Sequence, residues 1–374
     1  MSEPLRVGVV GAGIGAGYIA GFQKQPGVQV HAICARTTNR LQPLVEKYHI
    51  PRAYTDYEAM LAREPLDIVV VATPNYLHHP MTLAALNAGK HVLCDKPLAL
   101  NVMQAREMVD RAEQTGRKHF VPFIWRFVPA AAYVKELIAS GFLGESYHAN
   151  VRYSVRAWGD PQGPMRWQYD KAQAGSGALS NIGSHAIHLI QWWLGEIGRV
   201  CALLKTDIHE RAWPDGARVR VEVEDTCAFL AELENGVPVV FDLSHVALMH
   251  RVFMEIGVYG REGALVFHDD WGESDAHLGR LYAIRRNDHE PTVVPIPERL
   301  TGEYLDMPDY YTPLRGCFSR MTREFVNAIR EDRPAAPNFY DGLRVQRVID
   351  AVLRSAEEER WVPVQEPLQV PQTS

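Results

Sequence analysis

Two groups of polar side chains could move a proton to or from a reacting hydroxyl. Lys96 follows an apolar run in the segment Asp95-Lys96-Pro97, at the end of a predicted strand. Further along the chain, helical spacing places Asn181 and His185 on one side of a predicted helix. A partly buried lysine or a histidine can act as a general base, and an asparagine can hydrogen-bond a substrate hydroxyl. These residue types allow Lys96 and His185 as a proton-handling pair with Asn181 as an orienting group, but a lysine after a strand is more often an exposed loop residue, so the pattern alone leaves both interpretations open.

A glycine-rich loop follows the first apolar run of the chain. Gly11, Gly13 and Ala16 match the pattern G-x-G-x-x-[GA]. Gly11 permits a tight turn, Gly13 lets the backbone approach a pyrophosphate, and Ala16 allows close helix–strand packing. A strand, a helix and a second strand are predicted around the loop, which favours a dinucleotide site over a chance match. We predict that this loop, including Ile14, holds the phosphates at a helix N-terminus.

The end of the second predicted strand bears on the choice of cofactor. An acidic residue there would bind the free ribose 2′-hydroxyl of NAD. This chain has Arg36 and Thr37 instead, which suits the 2′-phosphate of NADP. Arg36 could equally stack on the adenine ring, which would suit NAD. The prediction is NAD or NADP, with NADP slightly favoured.

The elements that must position these residues follow two different patterns. Short apolar runs alternate with amphipathic stretches up to Trp125, as in βαβ units of a parallel sheet. Longer alternating segments follow, and Asn235-Gly236 is a hairpin signal between two of them. We predict an α/β protein with a Rossmann NAD(P)-binding domain over residues 1–125. An α+β domain with antiparallel strands, for substrate binding and oligomerisation, is predicted over residues 126–374.

Composition narrows the class of partner. The formal net charge is −6 and no basic block is interleaved with aromatic residues, which argues against nucleic acid. The five cysteines are dispersed, as expected for reduced thiols. The N-terminus lacks the features of a signal peptide, and no apolar run reaches the ~18 residues of a membrane span. We expect a cytoplasmic protein with neither membrane nor nucleic acid as partner.

Several separated motifs resemble one known family. They include DIVVVATPNYLH at residues 67–78, GKHVLCDKP at 89–97 and GSGALSNIGSH at 175–185. In this order they resemble the glucose–fructose oxidoreductase/inositol dehydrogenase/MocA (Gfo/Idh/MocA) family. The resemblance implies a Rossmann domain followed by a domain with an open, mostly antiparallel sheet. It also implies a small carbohydrate or cyclitol as substrate and a homodimer or homotetramer associating through the open sheet face.

The resemblance also implies which residues lie near the nicotinamide end of the cofactor. Asn75 and His78 are expected near the nicotinamide ribose, and Thr73, Asp95 and Lys96 are further predicted cofactor contacts. With the resemblance, we predict Lys96 and His185 as the proton-handling pair and Asn181 as the orienting group. His78 could instead cap the helix that follows it. The chain departs from the family at Asn181, where the family has Asp, and at His188, where Asp is often found. Because asparagine cannot take a proton, the family's proton relay is not fully reproduced.

Tryptophan and arginine residues form a candidate substrate wall. Trp158, Arg166 and Trp167 stand in one predicted loop, and Trp125-Arg126 could add to it. Indole faces stack on the C–H faces of a sugar, and arginine donates to its hydroxyls. Ordinary aromatic packing at a domain junction explains the same residues equally well. We predict no metal site, because the pair His185 and His188 lacks the further ligands that metals usually need.

These residues together predict an NAD(P)-dependent oxidoreductase that acts on a secondary hydroxyl or ketone of a sugar, polyol or cyclitol. Two alternatives stay open. The first is a non-redox dinucleotide sensor or scaffold on the same fold. The second is a lyase, hydrolase or epimerase that recycles its cofactor internally. Fold alone does not separate them.

Overall fold

The computed structural model describes residues 3–213, 215–249, 251–270, 278–302 and 315–364. Its first sheet has six parallel strands in the order β3-β2-β1-β4-β5-β6. The strands are β1 Leu5–Val10, β2 Val28–Cys34, β3 Arg52–Tyr54, β4 Ile68–Val71, β5 His91–Cys94 and β6 His119–Phe120. Strand order reverses between β1 and β4, where ligands bind in open α/β sheets. The predicted Rossmann domain is confirmed.

Five helices accompany this sheet and connect its strands. They are α1 Gly15–Gln23, α2 Thr38–Tyr48, α3 Tyr57–Arg63, α4 His78–Asn87 and α5 Val102–Thr115. The central strand β4 is fully buried because β-branched side chains occupy all of it. Gly116 ends α5 in the left-handed conformation, with φ of 62°.

The second sheet has nine strands in the order β16-β15-β14-β13-β7-β12-β11-β8-β17. Its strands are β7 Ser146–Val155, β8 Ile197–Lys205, β11 Thr226–Leu233, β12 Pro238–Ser244, β13 Val252–Gly260, β14 Gly263–Asp270, β15 Arg280–Arg285, β16 Thr292–Val293 and β17 Val362–Pro363. Only β7 and β12 pair in parallel, so the expected mostly antiparallel sheet is confirmed. Asn235-Gly236 forms the turn between β11 and β12, and a separate hairpin pairs β9 Glu210–Ala212 with β10 Arg218–Arg220.

Six helices complete the described chain. They are α6 Pro129–Ala139, α7 Lys171–Ala174, α8 Ser184–Leu194, α9 Glu298–Thr301, α10 Arg315–Arg330 and α11 Phe339–Glu358. The last two return to the first domain, where α10 packs on α1 and α11 packs on α5. Gly17 of α1 permits this approach, because a Cβ there would lie 2.5 Å from the Phe318 ring. No helix in the described ranges is long and apolar enough to cross a membrane.

Candidate active site

A cleft of about 1170 Å³ runs between the carboxyl edge of the first sheet and the second domain. It exceeds the ~300–1,000 Å³ typical of a single small-molecule pocket, as a site for a cofactor and a substrate together would. The predicted residues that line it are Gly11, Gly13, Ile14, Arg36, Thr73, Asn75, Asp95, Lys96, Trp158, Arg166, Trp167, Asn181 and His185.

The glycine loop forms one end of the cleft. Gly11 has φ of +109°, and a Cβ there would lie 2.0 Å from the Ala72 carbonyl oxygen. A Cβ at Gly13 would meet no atom within 4 Å, so this backbone is open to the cleft. Ala16 is buried behind the loop, where it packs the helix on the sheet. An open backbone beside the N-terminus of α1 fits a pyrophosphate.

Two arginines line the cleft beyond β2. They are Arg36 and Arg40, which reach the cleft together with Cys34 and Ala35. Thr37 is exposed and precedes α2, outside the cleft lining, so the structure does not bring it to the predicted cofactor site. The thiol of Cys34 is no nucleophile here, because burial raises its pKa to about 11.

His78 lies behind the cleft wall and is fully buried. Its Nδ1 is 2.8 Å from the Pro97 carbonyl oxygen and its Nε2 is 3.0 Å from the Thr73 carbonyl oxygen. Both ring nitrogens are therefore occupied by hydrogen bonds to the two backbone segments that carry Thr73 and Lys96. The prediction that this ring contacts the cofactor is corrected. Asn75 does line the cleft, and its Nδ2 donates to the Ala174 carbonyl oxygen across the domains at 2.8 Å.

Lys96 is held from both sides. The peptide bond between Lys96 and Pro97 is cis. The carboxylate of Asp95 accepts the Lys96 backbone N–H at 2.9 Å and the Tyr18 hydroxyl at 3.0 Å. The Nζ atom of Lys96 donates to the backbone oxygen of Asn181 at 2.6 Å and to its Oδ1 at 3.2 Å. Burial lowers the pKa of Lys96, against the opposing effect of Asp95.

Asn181 lies in a π-helical turn, residues Leu179–Gly183, that leads directly into α8. Such turns occur frequently at functional sites. Because the Lys96 ammonium only donates, Oδ1 of Asn181 must face it, which leaves Nδ2 to donate to Nε2 of His245 at 3.2 Å. His245 lines the cleft just beyond β12, and burial, with a smaller contribution from Lys96, lowers its pKa to about 3.

Sequence reasoning missed His245. It follows β12 without any motif, and 64 positions separate it from Asn181. Its position directly after an alternating strand carried no signal of its own, because the rule that ligands bind at strand ends applies to parallel sheets and this sheet is mostly antiparallel.

His185 lines the cleft close to Lys96. Burial, Lys96 and His188 hold its pKa well below the usual range, so its imidazole is neutral at neutral pH. His188 lies deeper and stacks on Phe123, with ring centres 4.2 Å apart. Among the described residues, no cluster of three or more His, Cys, Asp or Glu could hold a metal ion.

The predicted substrate wall divides into two parts. Trp158, Arg166 and Trp167 line the cleft. Trp125 does not, because it is 1% exposed and its Nε1 donates to the Tyr153 hydroxyl at 3.1 Å within the core. Arg126 also lies outside the cleft lining, with its guanidinium carbon 4.5 Å from the centre of the Trp192 ring. The assignment of these two residues to substrate binding is corrected.

A parallel sheet with an open glycine loop, and a lysine facing the same cleft, are features that a dinucleotide-dependent oxidoreductase requires. Residues 5–123 match the oxidoreductase family with an NAD-binding Rossmann fold, and residues 131–266 match the GFO/IDH/MocA C-terminal domain. An uncharacterized oxidoreductase of Synechocystis is 31% identical over 97% of both chains. The chain belongs to the Gfo/Idh/MocA family, which confirms the resemblance and the prediction of an NAD(P)-dependent enzyme.

Sugar dehydrogenases are among the relatives. Levoglucosan dehydrogenase of Pseudarthrobacter phenanthrenivorans is 28% identical over 97% of this chain and 98% of its own length. D-Glucoside 3-dehydrogenase of Escherichia coli is 35% identical over 52% of this chain and 55% of its own. A structure of levoglucosan dehydrogenase with NADH and L-sorbose has a TM-score of 0.88 at 26% identity, and covers 98% of this chain and 100% of that chain.

Proposed function

We propose that this protein transfers a hydride between nicotinamide and a secondary carbon of a sugar, polyol or cyclitol. The observation that carries the proposal is the position of Lys96 in the cleft, hydrogen-bonded to Asn181 at 2.6 and 3.2 Å. A dehydrogenase needs a base at the reacting hydroxyl, and this amine is the group with the required chemistry. The sugar substrates of the relatives support the substrate class.

The bound nicotinamide supplies the hydride acceptor in oxidation and the hydride donor in reduction. Lys96 takes the hydroxyl proton on Nζ during oxidation, because its lowered pKa makes the unprotonated amine accessible. Asn181 orients that amine through Oδ1 and its backbone oxygen. His185, neutral in the same cleft, hydrogen-bonds the reacting oxygen and shares the proton handling with Lys96.

For the cofactor, we propose a contact between the adenosine ribose and Arg36 and Arg40. Both line the cleft at the end of β2. An arginine pair at this position favours NADP over NAD, since guanidinium groups bind phosphate in a bidentate manner. The levoglucosan dehydrogenase structure with NADH shows that a relative takes the dinucleotide without a 2′-phosphate, so both cofactors belong in the test.

For the assembly, we propose a homodimer or homotetramer formed through the outer face of the second sheet. Apolar side chains on this face are exposed, by 72% at Leu203, 47% at Leu230 and 49% at Val240. Leu230 and Val240 pair directly across β11 and β12, so they form a continuous patch. A Leu230→Glu variant should reduce the mass measured by light scattering to that of one chain; unchanged mass would exclude this face.

The test of function is a panel of sugars, polyols and inositols with NAD and with NADP, monitored by the absorbance of the reduced nicotinamide. We expect oxidation of at least one compound, and loss of turnover in Lys96→Met with dinucleotide binding retained. The control is Lys90→Met, a lysine outside the cleft lining. Tight dinucleotide binding with no turnover of any compound would contradict the proposal.

A further inference from the structure

The aromatic wall of the cleft has its own small hydrophobic cluster, separate from the main core. Met165, Tyr169, Val221 and Val223 form the cluster. Trp158 and Trp213 pack against it from the loop and from the β9–β10 hairpin. Trp158 also packs against the main core, so it joins the small cluster to the rest of the molecule.

A buried arginine fixes this wall. Arg211 is 2% exposed and donates to the backbone oxygens of Asp160, Gly163 and Trp158 at 2.8, 3.1 and 2.6 Å. Its guanidinium carbon lies 4.1 Å from the centre of the Tyr169 ring. Burying a cation is costly unless its N–H groups are hydrogen-bonded; both terminal nitrogens of this guanidinium donate, whereas its Nε has no acceptor among the described residues. These bonds tie the loop backbone to β9, which favours a wall that is preformed for a ligand.

The wall contributes three tryptophan side chains to the cleft, more than a single sugar ring at the reacting centre would contact. Trp158, Trp167 and Trp213 are each partly exposed and line the cleft. Trp158 stacks on His245 with ring centres 5.4 Å apart, and His245 in turn bonds the Asn181 amide. Trp158 is thus the inner end of the wall. Arg166 is exposed, with its guanidinium carbon 6.0 Å from the centre of the Trp158 ring.

We propose that Trp213, Trp167 and Arg166 form an outer subsite for a second ring attached to the sugar that reacts. The substrate is then a glycoside, whose reacting ring lies between Lys96 and Trp158. The second ring stacks its apolar face on the outer tryptophans, while Arg166 donates to its polar edge. This inference rests on the proposed function, since it names the substrate class of the same site.

The test compares a free sugar with its methyl glycoside, its phenyl glycoside and a disaccharide. We expect a second ring to increase kcat/KM by about tenfold, as ~1.4 kcal/mol of added binding would. Trp213→Ala should remove that gain and leave kcat/KM for the free sugar and dinucleotide binding unchanged. The matched control is Trp361→Ala, a tryptophan 40% exposed and close to Arg199. The disaccharide and the phenyl glycoside distinguish a second sugar from an aromatic aglycone.

Two further outcomes separate failure of this inference from failure of the proposed function. Oxidation of the free sugar with no gain from a second ring would overturn the subsite and leave the dehydrogenase intact. No oxidation of any compound would overturn both. If Trp213→Ala does not fold, Arg166→Ala provides the test, because this side chain is exposed. Retention of the full gain in both Arg166→Ala and Trp167→Ala would overturn the subsite.

Discussion

Replacing Asn181 by aspartate should raise the pKa of Lys96 and move the pH dependence of oxidation. The Oδ1 atom lies 3.2 Å from Nζ, so the variant places a carboxylate against the ammonium. At an effective dielectric constant of ~20, two charges at that distance attract by about 5 kcal/mol, and by about half of this if the cleft is wetter. Since 1.36 kcal/mol corresponds to one pKa unit, a rise of about two to four units follows.

The sign follows from the role of the amine. In the proposed reaction Lys96 must be unprotonated to accept the hydroxyl proton, so a higher pKa moves the acidic limb of kcat/KM for oxidation to higher pH. At neutral pH we expect a loss of about 100-fold or more, partly recovered under alkaline conditions. The assay is the pH profile of kcat/KM for both proteins, with dinucleotide affinity measured at each pH.

The control for the added charge is Asn101→Asp. Asn101 caps α5 by accepting the Gln104 backbone N–H, a bond that aspartate makes equally well. Its profile should coincide with that of the wild type. An active Asn181→Asp variant whose acidic limb has not moved would refute the assignment of that limb to Lys96.

Three further predictions concern the cofactor loop and the core. Gly13→Val should leave the Tm nearly unchanged, because a Cβ there meets no atom within 4 Å, yet weaken dinucleotide binding by about 100-fold in a fluorescence titration. Arg36→Ala should weaken NADPH binding by about tenfold and NADH binding less; equal losses would assign the side chain to the adenine ring. Trp125→Phe loses the hydrogen bond to Tyr153 and leaves a cavity in the core, so the free energy of unfolding should fall by roughly 2–4 kcal/mol while KM stays constant; a raised KM would show that Trp125 belongs to the substrate wall.

The sequence predicted what depends on local pattern. The glycine loop can be predicted from the sequence because its conformation depends on only a few neighbouring residues. Gly11 has a positive φ, and Gly13 leaves open the space that a Cβ would fill. The buried strands are readable from apolar runs such as β4. The change to an antiparallel sheet is readable from alternation and from Asn235-Gly236.

What could not be predicted depends on contacts between distant segments. His78 was expected at the cofactor, but its ring is directed to the Pro97 carbonyl, a partner 19 positions away. Arg211 carries no motif, and its partners lie 48 to 53 positions away in the loop that it holds. Such residues become visible only when the fold brings these segments together.

On the proposed function, the geometry also explains how the site works with an amide at a position where the family resemblance implies an acid. Asn181 cannot take a proton, but it joins Lys96 to His245 in a fixed orientation. Burial keeps His185 and His245 neutral at neutral pH, and it disfavours the charged form of Lys96. A carboxylate at position 181 would stabilise the ammonium and work against the base. We infer that the amide favours the unprotonated amine of Lys96 by withholding charge, so Lys96 can accept the hydroxyl proton and the neutral His185 can share its handling, while His245 acts as a neutral hydrogen-bonding group.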